Sequence, residues 1–217
     1  MEALAELAGE GPVLELGVGT GRLAIPLAER GLEVDGIDAS DAMVGKLREK
    51  PGGDRVRVAI GDFASVPAPG GPYRLVFVAF NTIYALLHQD EQVGCFRAVA
   101  DRLAPGGLFV LESFVPDPSR YDRGQRVEAF RVEADHVDIN ASTHDPVGQR
   151  VAFQHVVAGE EGVRMYPGEL RYVWPSEMDL MARLAGLRLR SRHGGWRGEP
   201  FTGASARHVS VYEGTPL

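Results

Sequence analysis

Pro12-Val13-Leu14-Glu15-Leu16-Gly17-Val18-Gly19-Thr20-Gly21-Arg22 is the stretch that decides how this sequence folds. An apolar run of this kind reads as a strand buried in a parallel sheet, and here it stops in three glycines at alternate positions. Leu23, Ile25, Leu27 and Ala28 then set up a helical pattern that runs to about Arg30, with Gly31 as its stop and Pro26 tolerated in the first turn. Strand, glycine turn and helix together open a nucleotide-binding α/β unit. Glycines suit the turn because a side chain would hold a ligand off the backbone, and because the turn can demand positive φ.

The type of nucleotide is narrowed by the glycine spacing. A dinucleotide fingerprint needs its third glycine where the helix packs on the strand, and that position is Arg22; the extra glycine comes one residue early, at Gly21. A G-x-x-x-x-G-K-[ST] phosphate loop is not present either. The form E-x-G-x-G-x-G, with Glu15 two residues ahead of Gly17, resembles the first motif of class I S-adenosylmethionine (SAM)-dependent methyltransferases.

The segments that follow extend this resemblance in order. Leu32 to Asp38 reads as a second strand, with Asp38 at its end, 21 residues after Gly17. A carboxylate there can accept hydrogen bonds from both ribose hydroxyls; the alternative is a helix cap, which Ser40 or Asp41 can also supply. Ala39 follows, and Met43 and Leu47 belong to an amphipathic helix ending near Lys50. Arg55 to Ile60 is a third strand that ends in Gly61-Asp62-Phe63, which matches the family's adenine-binding positions. Tyr73 to Phe80 is a fourth, nearly all-apolar strand that leads into Asn81-Thr82-Ile83-Tyr84. A helix through Cys95 is broken by Ala104-Pro105-Gly106-Gly107 before a fifth strand, Leu108 to Glu112. The resemblance implies an α/β fold: a seven-stranded, mostly parallel, Rossmann-like sheet with helices on both faces. It also implies that SAM is held by Glu15, Gly17, Val18, Gly19, Gly21, Asp38, Ala39, Met43, Gly61, Asp62, Phe63, Phe80 and Asn81, and is converted to S-adenosylhomocysteine.

After Glu112 the helical period gives way to alternation. Val127, Phe130, Val132, Val137 and Ile139, then Val151 to Val157, then Val163 to Trp174 read as antiparallel hairpins, with turns at Asp145–Gly148 and Gly159–Gly162. Within a single 1–217 domain, this 115–174 insertion is expected to wall the acceptor site, pair two copies, or both. It resembles the corresponding segment of bacterial amino-sugar N-methyltransferases, through Ser142-Thr143-His144, Gln149-Arg150-Val151 and Val156 to Gly159. Those enzymes carry a His shortly after the fourth strand, where this chain has Ala85. The remainder, a helix after Trp174, a turn at Gly186 and strands from Leu187 and Arg207, resembles the closing hairpin of the methyltransferase sheet. Little sequence precedes the glycine motif beyond a helix over Glu2 to Ala8, so the site is expected to be open or closed by an element from elsewhere.

Methyl transfer requires an acceptor aligned on the sulfonium methyl with a lone pair free. The candidate catalytic residues are Tyr84 and His88 after the fourth strand, Glu112 at the end of the fifth, and His144 in the insertion. Each has a plainer reading: Tyr84 packing over the cofactor, His88 at an exposed helix start, Glu112 capping the sheet, His144 in a turn. His155 in the insertion is a further candidate, since it alternates with Phe153 and Val157 and can face the core or the pocket; Trp174, Trp196 and Phe201 read as core or rim, with Trp196, amid glycines and arginines, also able to shape the pocket. His, Cys and carboxylate residues lack metal-ligand spacing, so no metal is expected. The net charge of −7 and the lack of an N-P-P-[YF] signature after Asn81 argue for a small-molecule acceptor over nucleic acid. Cys95 has no cysteine to pair with, and no span of about 20 apolar residues is present, so a cytoplasmic protein without membrane contact is expected. SAM binding without transfer, in a regulatory or structural role, is the alternative function.

Overall fold

The computed structural model describes residues 1–160 and 162–214. It divides into two compact units. The larger comprises Met1–Ile83, Gln89–Val115 and the chain from Pro175 onward; the smaller comprises Tyr84–His88 and Pro116–Trp174.

In the larger unit, helix α1 (Glu2–Ala8) precedes β1 (Val13–Leu16), α2 (Ala24–Glu29), β2 (Val34–Asp38), α3 (Asp41–Arg48), β3 (Val56–Ile60) and β4 (Tyr73–Val78). Helix α4 (Gln89–Ala100) and β5 (Leu103–Phe114) follow. The strands form part of a seven-stranded sheet whose order places β3, β2, β1, β4 and β5 side by side. Neighbours among these five run parallel. The order reverses between β1 and β4, where open α/β sheets open a crevice at the carboxyl ends of the strands.

All four residues of β1 are buried, as an apolar strand covered on both faces must be. One face carries α1 and α2: Leu4, Ala8, Ala24 and Leu27 pack with Phe77, Val110 and Val211. On the opposite face of the sheet, the Phe96 ring of α4 stands edge-on to Phe109, which alternates with Val110 along β5, at 5.2 Å between centroids.

Several boundaries differ from the sequence reading: β2 begins at Val34 and not Leu32, β3 at Val56 and not Arg55, and β5 runs past Glu112 to Phe114. Strand β4 stops at Val78, not Phe80, because Phe80 and Asn81 both turn left-handed, with φ of 55° and 65°. Strand β5 begins at Leu103, and Pro105-Gly106-Gly107 lies inside it. Tyr73 pairs with Leu103 and Leu75 with Leu108, so β5 bulges outward there, and Gly106 takes a φ of 72°.

The smaller unit carries a separate antiparallel sheet of β6 (Gln125–Val132), β7 (His136–Asp145), β8 (Arg150–Gly159) and β9 (Gly162–Arg171), paired in chain order. Of the expected Gly159–Gly162 turn, Glu161 lies outside the described residues. The unit also takes in Tyr84–His88, the segment after β4. Helix α5 (Pro175–Leu184), β10 (Leu187–His193) and β11 (Arg207–Gly214) return the chain to the large sheet, with β11 antiparallel to both β5 and β10. Here Arg192 makes two hydrogen bonds to the Asp179 carboxylate, at 2.6 and 3.2 Å, and a third to Ser210 Oγ at 2.8 Å. Ser210 Oγ is also 2.8 Å from Nδ1 of the buried His208.

Among the described residues, no helix is long and apolar enough to cross a membrane.

Candidate active site

The β1–α2 turn is built to bring backbone close to a ligand. Gly17, Gly19 and Gly21 have φ values of 72°, 54° and 76°, a region side chains disfavour. At Gly17 a Cβ would also come within 2.4 Å of Thr82 Cγ2, so the turn packs directly on the segment after β4. The turn is tied to the end of β2: the Gly19 N–H donates to Asp38 Oδ2 at 2.7 Å, and the Ser40 N–H to Asp38 Oδ1 at 2.9 Å. Ser40 caps α3 through Met43 N, which leaves Asp38 clear of that duty. Ala39 lies between them, and Met43 Cε stands 3.5 Å from where a Cβ on Gly19 would be.

Beside β2, the end of β3 is held by the Gly61 N–H donating to Asp38 O at 3.0 Å. Asp62 is exposed, with its Oδ1 accepting from the Ala64 N–H, and Phe63 is buried. The three strand ends carrying Gly17–Gly21, Asp38 and Asp62–Phe63 therefore lie side by side along one edge of the sheet.

Glu15 is the unusual member of this site. Its carboxyl group is buried, accepts from the Ala24 backbone N–H, and leaves Oε2 without a partner. Burial pushes its pKa up to about 8, with Asp38 adding to the rise and the Ala24 N–H and Arg22 opposing it. A buried oxygen with nothing to bind is costly unless a ligand donor meets it. The α-ammonium of SAM is such a donor. With the backbone cradle and the Asp38 carboxylate, the residues present fit this cofactor.

After β4, the left-handed pair Phe80–Asn81 is clamped from β5. The Phe80 N–H donates to Glu112 Oε2 at 3.2 Å, the Asn81 N–H to Glu112 O at 3.1 Å, and the Phe114 N–H to Asn81 Oδ1 at 2.6 Å. Strained φ values fixed by three hydrogen bonds at a strand end are a feature of functional turns. Phe80 is half exposed, and the Arg22 guanidinium lies over its ring, 3.7 Å from the centroid. Val18 is buried against Gly36.

The candidate catalytic residues are divided between the two units. Glu112, buried, lies beside the Phe80 turn in the larger unit. Tyr84 belongs to the smaller unit, where it is fully buried and its hydroxyl donates to Val173 O at 3.2 Å. His88 is exposed at the start of α4. His144 Nε2 is 2.9 Å from the Tyr172 hydroxyl, and its ring stacks on Tyr121 at 4.5 Å. His155 stands edge-on to Phe130; Trp174 is edge-on to Tyr172; Trp196 packs on the core; and Phe201 meets His208. No cluster of three His, Cys, Asp or Glu side chains able to hold a metal occurs among the described residues. Arg22 is the residue that sequence reasoning passed over. It entered only as the misfit in a glycine fingerprint, and its position there was the available signal.

The geometry agrees with the sequence relatives. A methyltransferase-domain family matches residues 13–107. The structure of the CcbJ methyltransferase from Streptomyces caelestis is 43% identical, covers 99% of this chain and 88% of that one, and superposes with a TM-score of 0.94. The chain belongs to the SAM-dependent methyltransferases. This methyltransferase is also 29% identical to the cypemycin N-terminal methyltransferase of a Streptomyces species, over 93% of this chain and 82% of that protein. A SAM-bound amino pentose methyltransferase from Micromonospora echinaspora, involved in calicheamicin biosynthesis, shares the fold at 22% identity, with a TM-score of 0.72 over 99% of this chain and 88% of that one.

Proposed function

We propose that this methyltransferase carries the SAM methyl group to an amine nitrogen of a small natural-product acceptor. The observation behind this reading is the buried Glu112 carboxylate at the carboxyl ends of β4 and β5, held against the Phe80 turn by one oxygen. SAM supplies an already activated methyl, so the chain's own work is orientation and proton handling. The oxygen of Glu112 not held by the Phe80 turn can accept a hydrogen bond from an N–H of the acceptor, aim the nitrogen lone pair at the methyl, and take up the proton that the methylated nitrogen releases. The name of one relative points the same way, since it is a cypemycin N-terminal methyltransferase. The net charge of −7 supports a small acceptor over nucleic acid.

The test is transfer of labelled methyl from SAM to a panel of amines, amino sugars, phenols and carboxylic acids. Label on nitrogen is expected, with Glu112→Gln lowering kcat by about 10²-fold at unchanged SAM affinity. Label confined to oxygen would overturn the amine reading.

We also infer that two copies associate through the antiparallel sheet. Val127, Val163 and Met165 are all more than half exposed on it, and they share one face by register. A trough of about 690 Å³ crosses that face, lined by Val127, Ala141, Ala152, Gln154, Pro167 and Glu169.

A further inference from the structure

We propose that His208 and Ser113 form a subsite for a carbonyl oxygen of the methyl acceptor, reached when the loop between β10 and β11 lifts its Phe201 ring away. The two residues stand directly opposite each other on antiparallel β11 and β5, so their side chains share one face, with Cβ atoms about 5 Å apart. Both are fully buried, and among the described residues His208 Nε2 and Ser113 Oγ have no hydrogen-bond partner. Two orphaned polar atoms on facing positions leave a gap that one bridging group would close. Ser113 lies between Glu112 and Phe114, the residues that clamp the turn after β4. The pair therefore stands at the carboxyl end of β5, beside the crevice of the sheet.

The chemistry of the subsite is set from behind. Arg192 is always a donor, and its Nε–H donates to Ser210 Oγ at 2.8 Å. That leaves the single Ser210 O–H for His208 Nδ1, 2.8 Å away, so the imidazole proton sits on Nε2. Asp179 fixes the base of this chain, accepting from Arg192 at 2.6 Å and from the Tyr212 hydroxyl at 2.8 Å. Burial, helped by the Arg192 charge and opposed by Asp179, pushes the His208 pKa down to about 4, so the ring is neutral. An uncharged N–H beside a hydroxyl suits a neutral oxygen; a carboxylate would find no free cation, because Arg192 is already paired. The group that fits is an amide carbonyl.

The cover over this pair is a loop bonded within itself. The Gly194 N–H donates to Glu199 O at 2.7 Å, the Arg197 N–H to Glu199 Oε2 at 2.9 Å, and the Thr202 N–H to Ser205 Oγ at 2.9 Å. Trp196 anchors its start on the core, and Gly198 and Gly203 flank the segment that carries Phe201. The Phe201 ring meets His208 edge-on at 6.0 Å between centroids, with the Arg192 guanidinium 5.6 Å from its centre. Compact loops of this kind, closed by their own side chains, are frequent carriers of function.

The inference rests on this chain methylating a small amine, and the experiment keeps the two apart. Labelled-methyl transfer from SAM is measured with glycinamide and ethylamine, the first carrying a carbonyl oxygen and the second none. Ser113→Ala removes a hydroxyl that has no partner to lose, so the fold should tolerate it. It should raise KM for glycinamide by about 3–10-fold, the worth of one neutral hydrogen bond, with kcat unchanged and ethylamine unaffected. Phe201→Ala, which uncovers the pair, should instead lower KM for glycinamide alone. Equal effects of Ser113→Ala on both amines, or on neither, would mean that the pair holds a buried water only, and would overturn the assignment. Nitrogen NMR of the histidine-labelled chain gives a readout independent of transfer. It should show His208 protonated on Nε2, and acetamide at about 0.1 M, where even millimolar sites fill, should shift that signal. A His208 resonance that acetamide leaves in place would defeat the subsite. Label on neither amine would defeat the amine reading, and the acetamide titration would still decide the subsite.

Discussion

At the scale of single residues, Glu15 pits stability against function. A carboxyl group with a folded pKa of about 8 and an ordinary value of 4.5 is neutral in the folded chain at pH 7 but ionised in the unfolded chain. The unfolded state therefore binds fewer protons between those two values, and stability falls as pH rises from about 4.5 to 8. Glu15→Gln, which keeps the shape and cannot ionise, should be more stable than the wild type at pH 8 by roughly 4 kcal/mol, and close to it at pH 4.5. Urea unfolding at the two pH values measures this, and an equal difference at both would refute it. The charges facing the group, Arg22 and Asp38, are present in both proteins. The same Glu15→Gln variant should lose most of its SAM affinity. An ammonium arriving at Oε2 favours the ionised acid, so binding at pH 7 should expel close to one proton from the wild type and none from the variant. Titration in buffers of different ionisation enthalpy reads that proton directly. Sequence alone picked out Glu15 through its place two residues ahead of Gly17, but its protonation follows from burial, which composition and spacing do not encode.

At the scale of elements, the glycine turn and the turn after β4 form one interlocked piece. Gly17→Ala combines two costs: a non-glycine residue at a φ of 72°, and a Cβ within 2.4 Å of Thr82 Cγ2. Together these should lower stability by about 2–4 kcal/mol. Replacing Thr82 by Ser removes the colliding methyl, so the Gly17→Ala/Thr82→Ser double variant should recover at least 1 kcal/mol of that loss, leaving the backbone cost. Strictly additive effects in a double-mutant cycle of chemical denaturation would show that the two turns do not press on each other. This coupling also marks where sequence reading worked and where it failed. The strands β1, β2 and β3 were legible because apolar runs end at glycine or aspartate, a local signal. The end of β4 was not, because Ala79 and Phe80 are as apolar as the strand before them, and what stops the strand is Glu112, 32 positions away, capturing the Phe80 N–H. The start of β5 was missed for the opposite reason. Pro105-Gly106-Gly107 is a strong local break, yet pairing of Leu103 with Tyr73 carries the strand past it as a bulge. Arg22 was likewise hidden, since its partner ring comes from another element.

At the scale of the whole molecule, a mostly parallel sheet carries the candidate cofactor site, and an antiparallel sheet leaves Val127, Val163 and Met165 exposed on one face. A face that stays in water has no need of Val127, Val163 and Met165, and their exposure on one side of the sheet marks that side for covering. Four strands spaced about 4.8 Å apart, each with some eight paired residues rising about 3.3 Å, span a face on the order of 500 Å² before side-chain relief. With that relief the accessible area approaches the roughly 800 Å² per partner of a standard interface. A second copy offers the same apolar face, and two such faces related by a two-fold axis satisfy each other without leaving an open end. The small side chains of Ala141 and Ala152 on the central strands make the trough that would receive the larger edge residues of the partner. The expected outcome is a dimer by analytical ultracentrifugation at micromolar concentration. Val127→Lys with Met165→Lys should yield monomers whose SAM affinity is unchanged, because Glu15, Asp38 and Asp62 all lie in the other unit. A wild-type chain that sediments as a monomer at every concentration up to about 100 µM would leave this face uncovered by a second copy and defeat the proposal, since an interface of standard size holds far below that concentration.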